Sequence, residues 1–415
     1  MRRVGRALRH RNYRLFFAGQ GVSLIGSWMQ TVGQAWLVLE LTHSAFLLGV
    51  VSSLQWSPVL VLSLPAGALV DRVSKRRLLV WTQAMFLVLA LCLGILCVLG
   101  VVRYWHVAAI AVVFGVVNAF DVPARQAFVV EMVGGTDDMS TAVALNSALF
   151  SGGRLIGPAL GGLAIAAWGV GAAFLANAAS FVAVIAALVA MRGLPTQPVV
   201  SWTGVLTGIG EGTGFVYRTP IILWVLMMLA LFGLFPANYN VFIPVLAQAR
   251  LGLGASGFGL LTAANGAGAV LGGLVVAAQG SRIPTRAYLY WSALTLSVVT
   301  MVLSQARGAG AAAAFLFLAG GAMVAFSSVA NSAIQFQAPD ALRGRVMSIF
   351  SLVWNGTTPF GALLAGALIE TWGLSAGLLV GGGAGLVGAV ILHLILVRRS
   401  GAGSPTRAPA DVPER

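Results

Sequence analysis

Charge is what this chain lacks. Of its 415 residues only 9% are Asp, Glu, Lys or Arg, and 11 are acidic. An ordinary soluble domain carries about 25% charged residues, so this shortage excludes a water-soluble globular protein of the same length. Cysteine is nearly missing as well. Cys92 and Cys97 are the only two and lie in one apolar run, which excludes a disulfide framework. The four histidines, His10, His43, His106 and His393, are scattered near the ends of apolar runs, so no metal site and no metal cofactor is expected. No P-loop or paired-histidine motif occurs, which removes the usual signs of a nucleotide-driven pump or a metalloenzyme. The basic segment Met1–Arg14 runs into a stretch too long for a signal-peptide core, so no detachable signal is expected. The pI near 11.3 comes from Arg in short loops, as topology signals do, and does not indicate nucleic acid.

What the chain does have is glycine, 52 residues of it, and apolar runs, with 59% of residues hydrophobic. Most runs exceed the twenty or so residues that cross a hydrocarbon core of ~30 Å as a helix. Twelve spans are predicted, near 15–40, 45–69, 78–100, 107–129, 141–167, 171–191, 220–248, 255–279, 287–306, 310–336, 345–370 and 374–397. The expected class is an all-α polytopic membrane protein. An even count puts both termini on one side, and the basic residues choose it. Arg2, Arg3, Arg6, Arg9, Arg11 and Arg14 precede span 1, while Arg72, Lys75, Arg76 and Arg77 follow span 2. Later loops of the same side carry Arg192, Arg218, Arg282, Arg286, Arg343 and Arg345, and the opposite side holds Arg103, Arg250 and Arg307. Both termini are therefore expected in the cytoplasm. The longest interior polar segment, 192–219, divides the spans six and six. The expected organisation is a segment 1–14, a bundle 15–191, a linker 192–219, a bundle 220–397 and a disordered tail 398–415.

The halves repeat weakly. Trp168 of "AIAAWG" and Trp372 of "ALIETWG" lie 204 residues apart, Phe120 and Phe326 lie 206 apart, and Gly157 and Gly161 fall near Gly361 and Gly366. A parallel repeat of two six-span units is the layout of secondary transporters whose site lies between the halves.

Three polar features interrupt the apolar spans. The loop "GALVDRVSKRR" (67–77) sets Asp71 among cations at the membrane edge, placed for an ion pair or a helix cap. Span 5 carries Arg154 at its midpoint, about 20 Å from either end, too deep to reach water easily and costly in lipid. Ser147, Ser151, Arg154 and Pro158 share a helix face, and Gly153, Gly157 and Gly161 form a neighbouring face where a second helix can approach. Span 1 carries a line of Gln20, Ser23, Ser27, Gln30 and Gln34, read as a water-lined wall or as interhelical hydrogen bonding. Span 4 aligns Asn118, Asp121 and Arg125, and span 10 aligns Ser327, Asn331 and Gln335. Asn238, Tyr239 and Asn240 are further candidates in span 7. Trp28 and Trp36 could stack on an aromatic ligand or pack in the core.

The spacing Gly67-x3-Asp71-Arg72-x3-Arg76 resembles the loop signature of the major facilitator superfamily, with Ser74 where that signature has glycine. The pattern Gly153-x3-Gly157-Pro158-x2-Gly161-Gly162 resembles the antiporter motif of drug/proton exporters, with Ala144 in place of an earlier glycine. "NAFDVPARQAFVVEMV", "AVALNSALFSGGRLIGPALGG", "LRGRVMSIFSLVWNGTTPFG" and "EGTGFVYRTP" are similar to the branch that contains enterobactin exporters and macrolide-efflux proteins. The resemblance implies two pseudo-symmetric six-helix bundles, a cavity lined by spans 1, 4, 7 and 10, and a conformational latch at Gly67, Asp71, Arg72 and Arg76. It also implies a multi-pass protein of the bacterial inner membrane, working as a monomer in the lipid bilayer. The expected activity is proton-coupled export of a siderophore, macrolide or other drug-like organic molecule. A nutrient importer of the same fold and an intramembrane enzyme are the alternatives. Asp121, held by Arg125 one turn away, is the expected proton carrier; pairing with Arg72 or Arg76 in the latch is the other reading.

Overall fold

The computed structural model describes residues 7–133, 136–192, 213–279 and 285–401. Most of the expected linker 192–219 and nearly all of the expected tail lie outside these residues. The first half contains α1 (Arg11–Thr42), α2 (Ala45–Arg72), α3 (Lys75–Val98), α4 (Tyr104–Val133), α5 (Thr136–Trp168) and α6 (Val170–Ala190). In the second half α7 comes in two pieces, Pro220–Leu234 and Tyr239–Val245, and continues into a π turn over Leu246–Arg250. It is followed by α8 (Ala255–Gln279), α9 (Thr285–Leu303) and α10 (Ala309–Gln337). The last helical stretch, Asp340–Gly401, breaks at Gly373 into α11 (340–372) and α12 (374–401).

Ten stretches are long and apolar enough to cross a membrane; the last, Leu342–Leu396, spans 55 residues and crosses twice because of the break. α1 falls below the same hydropathy because its polar line dilutes it, yet at 32 residues it is among the longest helices in the bundle. Among the described residues the chain thus forms twelve crossing helices. The first turns of α3 and α11 carry Arg76, Arg77, Arg343 and Arg345 and, with the last turns of α2 and α10, mark the basic end; the opposite end is the far end.

Local chemistry explains the helix ends. Ser74 stands where a glycine was expected and caps α3, its hydroxyl accepting from the Arg77 amide. Arg76 donates to the carbonyls of Leu188 and Val189 at 2.7 and 2.8 Å, and Arg11 to that of Ala190 at 3.2 Å. These cations satisfy the open carbonyls at the C-terminus of α6. The span expected near 220–248 is present as Pro220–Arg250, with its helix interrupted. Pro236 has no amide proton to give Phe232, so the helix opens, and Ala237 donates to the Phe232 carbonyl instead.

Each half has the same internal packing, α5 lying on α1 and α11 on α7. A Cβ on Gly157 would meet the Ile25 carbonyl at 2.7 Å, and one on Gly361 would meet the Gly233 carbonyl. Both helices end in a glycine with positive φ, Gly169 (81°) and Gly373 (83°), again 204 residues apart. Only glycine takes this backbone without strain.

The halves meet along two seams, α5 on α8 and α2 on α11. A Cβ on Gly162 would lie 2.6 Å from the Ala255 carbonyl oxygen, and one on Gly366 would lie 2.6 Å from that of Ala45. Gly259 is pressed against the Pro158 carbonyl as Gly49 is against that of Ala362. The seams are therefore copies of one another, with small residues letting backbones touch. Both lie in the far half. Trp36 stacks on Phe258 there (6.1 Å), and Glu370 accepts from the amides of Ala45 and Phe46, at 2.9 and 3.3 Å, closing the N-terminus of α2 from the other half.

Candidate functional site

Toward the basic end the seams part. Ser147 and Phe150, on the continuation of the Arg154 face, are exposed, and a Cβ on Gly152 or Gly67 would meet nothing within 4 Å. Toward this end lies a cleft of ≈ 450 Å³ lined by Ser327, Ser328, Asn331 and Ser332 of α10 and by Phe350 and Trp354 of α11, all of the second half. The halves touch in the far half, and the cleft lies nearer the basic end.

Arg154 sits where α5 and α8 separate. Its Nη2 donates to Asn265 Oδ1 of α8 at 3.0 Å, and its guanidinium lies 5.9 Å from the ring of Trp28 on α1. Asn265 is held in turn by donating to the Leu316 carbonyl of α10 at 3.0 Å. Pro158 leaves the Arg154 carbonyl without its helical donor, and Gly266 occupies that side, where a Cβ would lie 2.5 Å from the oxygen. The motif thus has two faces. Gly153, Gly157 and Gly161 seat α5 on Leu24, Trp28 and Met29 of its own half, while Arg154, Pro158 and Gly162 seat it on the other half. Both close approaches involve backbone or Cβ atoms, which have little room to yield.

Asp121 pairs with Arg125 one turn away, but it is fully buried and turned toward α3, accepting from Thr82 Oγ1 at 2.7 Å, Gln83 Nε2 at 2.8 Å and the Arg125 guanidinium. Arg76, one expected alternative partner, is engaged at α6. The sequence reading missed a second buried pair, Lys75 with Glu131 at 2.8 Å, which ties the start of α3 to the end of α4. The side chain of Asp71 lies outside the described residues.

The hydrogen bonds found along the α1 line run between helices. Gln30 accepts from Asn177 of α6 at 2.6 Å, and Asn177 accepts from Ser180 at 3.0 Å, so Gln30 faces its own bundle. Gln34 donates to Gln55 of α2 at 3.0 Å. Gln20 and Ser23 are buried, and Ser27 is half-buried. As a cavity wall the line is corrected at Gln30, because a buried amide takes the nearest partner. Asn238 is corrected too. It donates to the carbonyls of Gly233, Leu234 and Phe235, repairing the break in α7. Asn331 lines the cleft and accepts from Gln335, which is exposed beside it; Asn118 is half-buried on α4.

Residues 6–413 match the family described as transmembrane secretion effector. The multidrug efflux pump Tap of Mycolicibacterium fortuitum is 28% identical over 368 residues, covering 86% of this chain and 88% of that one. The staphyloferrin A transporter of Staphylococcus aureus is 34% identical over 181 residues, 42% of this chain and 44% of that one. A crystal structure of a mutant of the nucleoside transporter NupG superposes with a TM-score of 0.76 at 13% identity, covering 93% of this chain and 99% of that one. At that identity it speaks for the fold alone.

Proposed function

We propose that this chain, which belongs to the transmembrane secretion effector family of major facilitator transporters, exports a small organic molecule by alternating access. It is a multi-pass membrane transporter and not an enzyme. The observation that supports export by this route is the pairing of two matched glycine seams, closed at the far end, with a cleft of ≈ 450 Å³ at the basic end. With the basic end in the cytoplasm, substrate enters from the cell interior. The seams then part and the basic end closes. An efflux pump among the relatives favours this direction.

We assign the driving force to protons, one charge crossing 100 mV being worth about 2.3 kcal/mol. Asp121 carries them only if the α3–α4 contact opens during the cycle. Its three donors favour a brace between those helices. In an efflux-deficient host, the chain should lower the accumulation of lipophilic test drugs, and a protonophore should cancel the effect. Equal accumulation with and without the chain sinks the export reading.

Two further outcomes bear on orientation and the latch. Reporter fusions after residues 104 and 200 should report outside and inside respectively, and the reverse would place the cleft outside the cell. Asp71→Asn should leave insertion intact and slow transport in proteoliposomes by about tenfold, the effect of weakening one interdomain state by ~1.4 kcal/mol. An unchanged rate would reduce the loop to a topology signal.

A further inference from the structure

We infer that Glu370 is a far-end latch of the transport cycle: a carboxylate on one half that grips the first amides of α2 on the other and lets them go each time the seam opens. The inference rests on the alternating access proposed above. Glu370 stands one turn beyond Gly366, which presses on the Ala45 carbonyl, so the carboxylate arrives where the two halves already touch. One oxygen, Oε2, accepts from the amides of Ala45 at 2.9 Å and Phe46 at 3.3 Å. These are the first two donors of α2, which no carbonyl of their own helix can satisfy. Ser44 takes the next one, its hydroxyl accepting from the Leu47 amide at 3.1 Å. The carboxylate also meets the positive end of the helix dipole there.

Two features set this contact apart from a fixed cap. Its partners belong to different halves, so the seam cannot part while the bonds hold. Glu370 is also exposed. Its carboxylate regains water when the contact opens, which keeps the net strength small enough for release in every cycle. The buried pair of Asp121 and Arg125 lies within one half and would cost far more to break.

The copied seam shows that packing does not require the carboxylate. Gly162 presses on the Ala255 carbonyl as Gly366 does on that of Ala45. One turn beyond Gly162 stands Ala166, exposed like Glu370 and 204 residues before it. Gly254 precedes α8 as Ser44 precedes α2, and it has no side chain to cap the helix. That seam closes with a methyl group where the other has Glu370. The far end is therefore gripped by charge on one side only.

The test reads how often the far end opens. Trp36→Cys is placed in the full chain with Cys92 and Cys97 replaced by serine, and the purified protein is treated with a maleimide. Trp36 is stacked across the α5–α8 seam, so a cysteine there reacts when the halves part. Labelling slow against reclosing has a rate proportional to the open fraction, however small that fraction is. Glu370→Ala should raise the rate about fivefold, as loss of a carboxylate at an exposed helix N-terminus would. Glu370→Gln keeps a neutral acceptor and should raise it about twofold. Adding Ala166→Glu to Glu370→Ala offers a carboxylate to the first amides of α8 and should bring the rate back toward its starting value. A rate unchanged by Glu370→Ala, whether or not the melting temperature falls, makes Glu370 a cap of α2 and overturns the latch while leaving alternating access standing. No labelling in any form, Gly259→Leu included, means that the seam never opens; the proposed cycle then fails and the latch with it.

Discussion

Replacing Gly259 by leucine is expected to abolish transport while leaving each half folded. A Cβ there meets the Pro158 carbonyl, the Gly162 Cα at 2.8 Å and the Gly162 nitrogen at 3.0 Å, all backbone atoms of the opposite half. Nothing in that list can rotate away, so the halves must separate. Overpacking a close contact by even one methylene costs about 1–3 kcal/mol, and leucine adds far more bulk than that. The far-closed state should become minor, and transport should fall about 100-fold or more. Trp36, which stacks on Phe258 across the seam, supplies the readout. With Cys92 and Cys97 replaced by serine, Trp36→Cys should be shielded from an impermeant maleimide and should become reactive when Gly259→Leu is added. Gly49→Leu should act alike because its seam is a copy. Gly268 serves as the contrast. It packs on the backbone of Phe317 within its own half, so Gly268→Leu should cost stability first. Normal turnover in Gly259→Leu would mean that the seam is not a moving part.

Asp121→Ala is expected to cost about 3–5 kcal/mol of stability, the usual loss when one partner of a buried ion pair is removed. The substitution strands Arg125, whose side chain is 24% exposed, and takes the acceptor from Thr82 and Gln83 together. Asp121→Asn should fall between, because its amide nitrogen would face the guanidinium donor to donor. Adding Arg125→Ala to Asp121→Ala should recover part of the loss by removing the stranded charge. Thermal unfolding of purified protein in one detergent measures all four forms. A loss below about 1 kcal/mol, the range of an exposed pair, would return Asp121 to the role of a free carrier.

Much of this architecture could be read from the residues. Apolar length located the spans, because the thickness of the bilayer imposes it directly. The 204-residue offset read from Trp168 and Trp372 reappears in Gly157 with Gly361 and Gly162 with Gly366. Periodicity also showed that Arg154 needed shelter. It could not show which neighbour each polar face meets. Gln30 and Gln34 share a helix side, yet one turns to α6 and the other to α2, since partners 147 and 21 residues away on other helices decide the matter. The break in α7 escaped because hydropathy counts side chains and ignores the missing amide of Pro236. The Glu370 cap on α2 escaped because it joins residues 325 apart, and no local signal marks it.

The proposed cycle rocks the two halves against one another along their seams. It is tested most directly by spin-label distances at both ends of the same molecule. With Cys92 and Cys97 replaced by serine, Trp105→Cys and Gly310→Cys report the far end, while Arg77→Cys and Ser348→Cys report the basic end; all four sites are exposed. On adding a transported compound to reconstituted protein, the far pair should gain a longer distance and the basic pair a shorter one, in equal populations. Distances that stay unchanged during measured transport, or that lengthen together at both ends, would contradict alternating access in this chain.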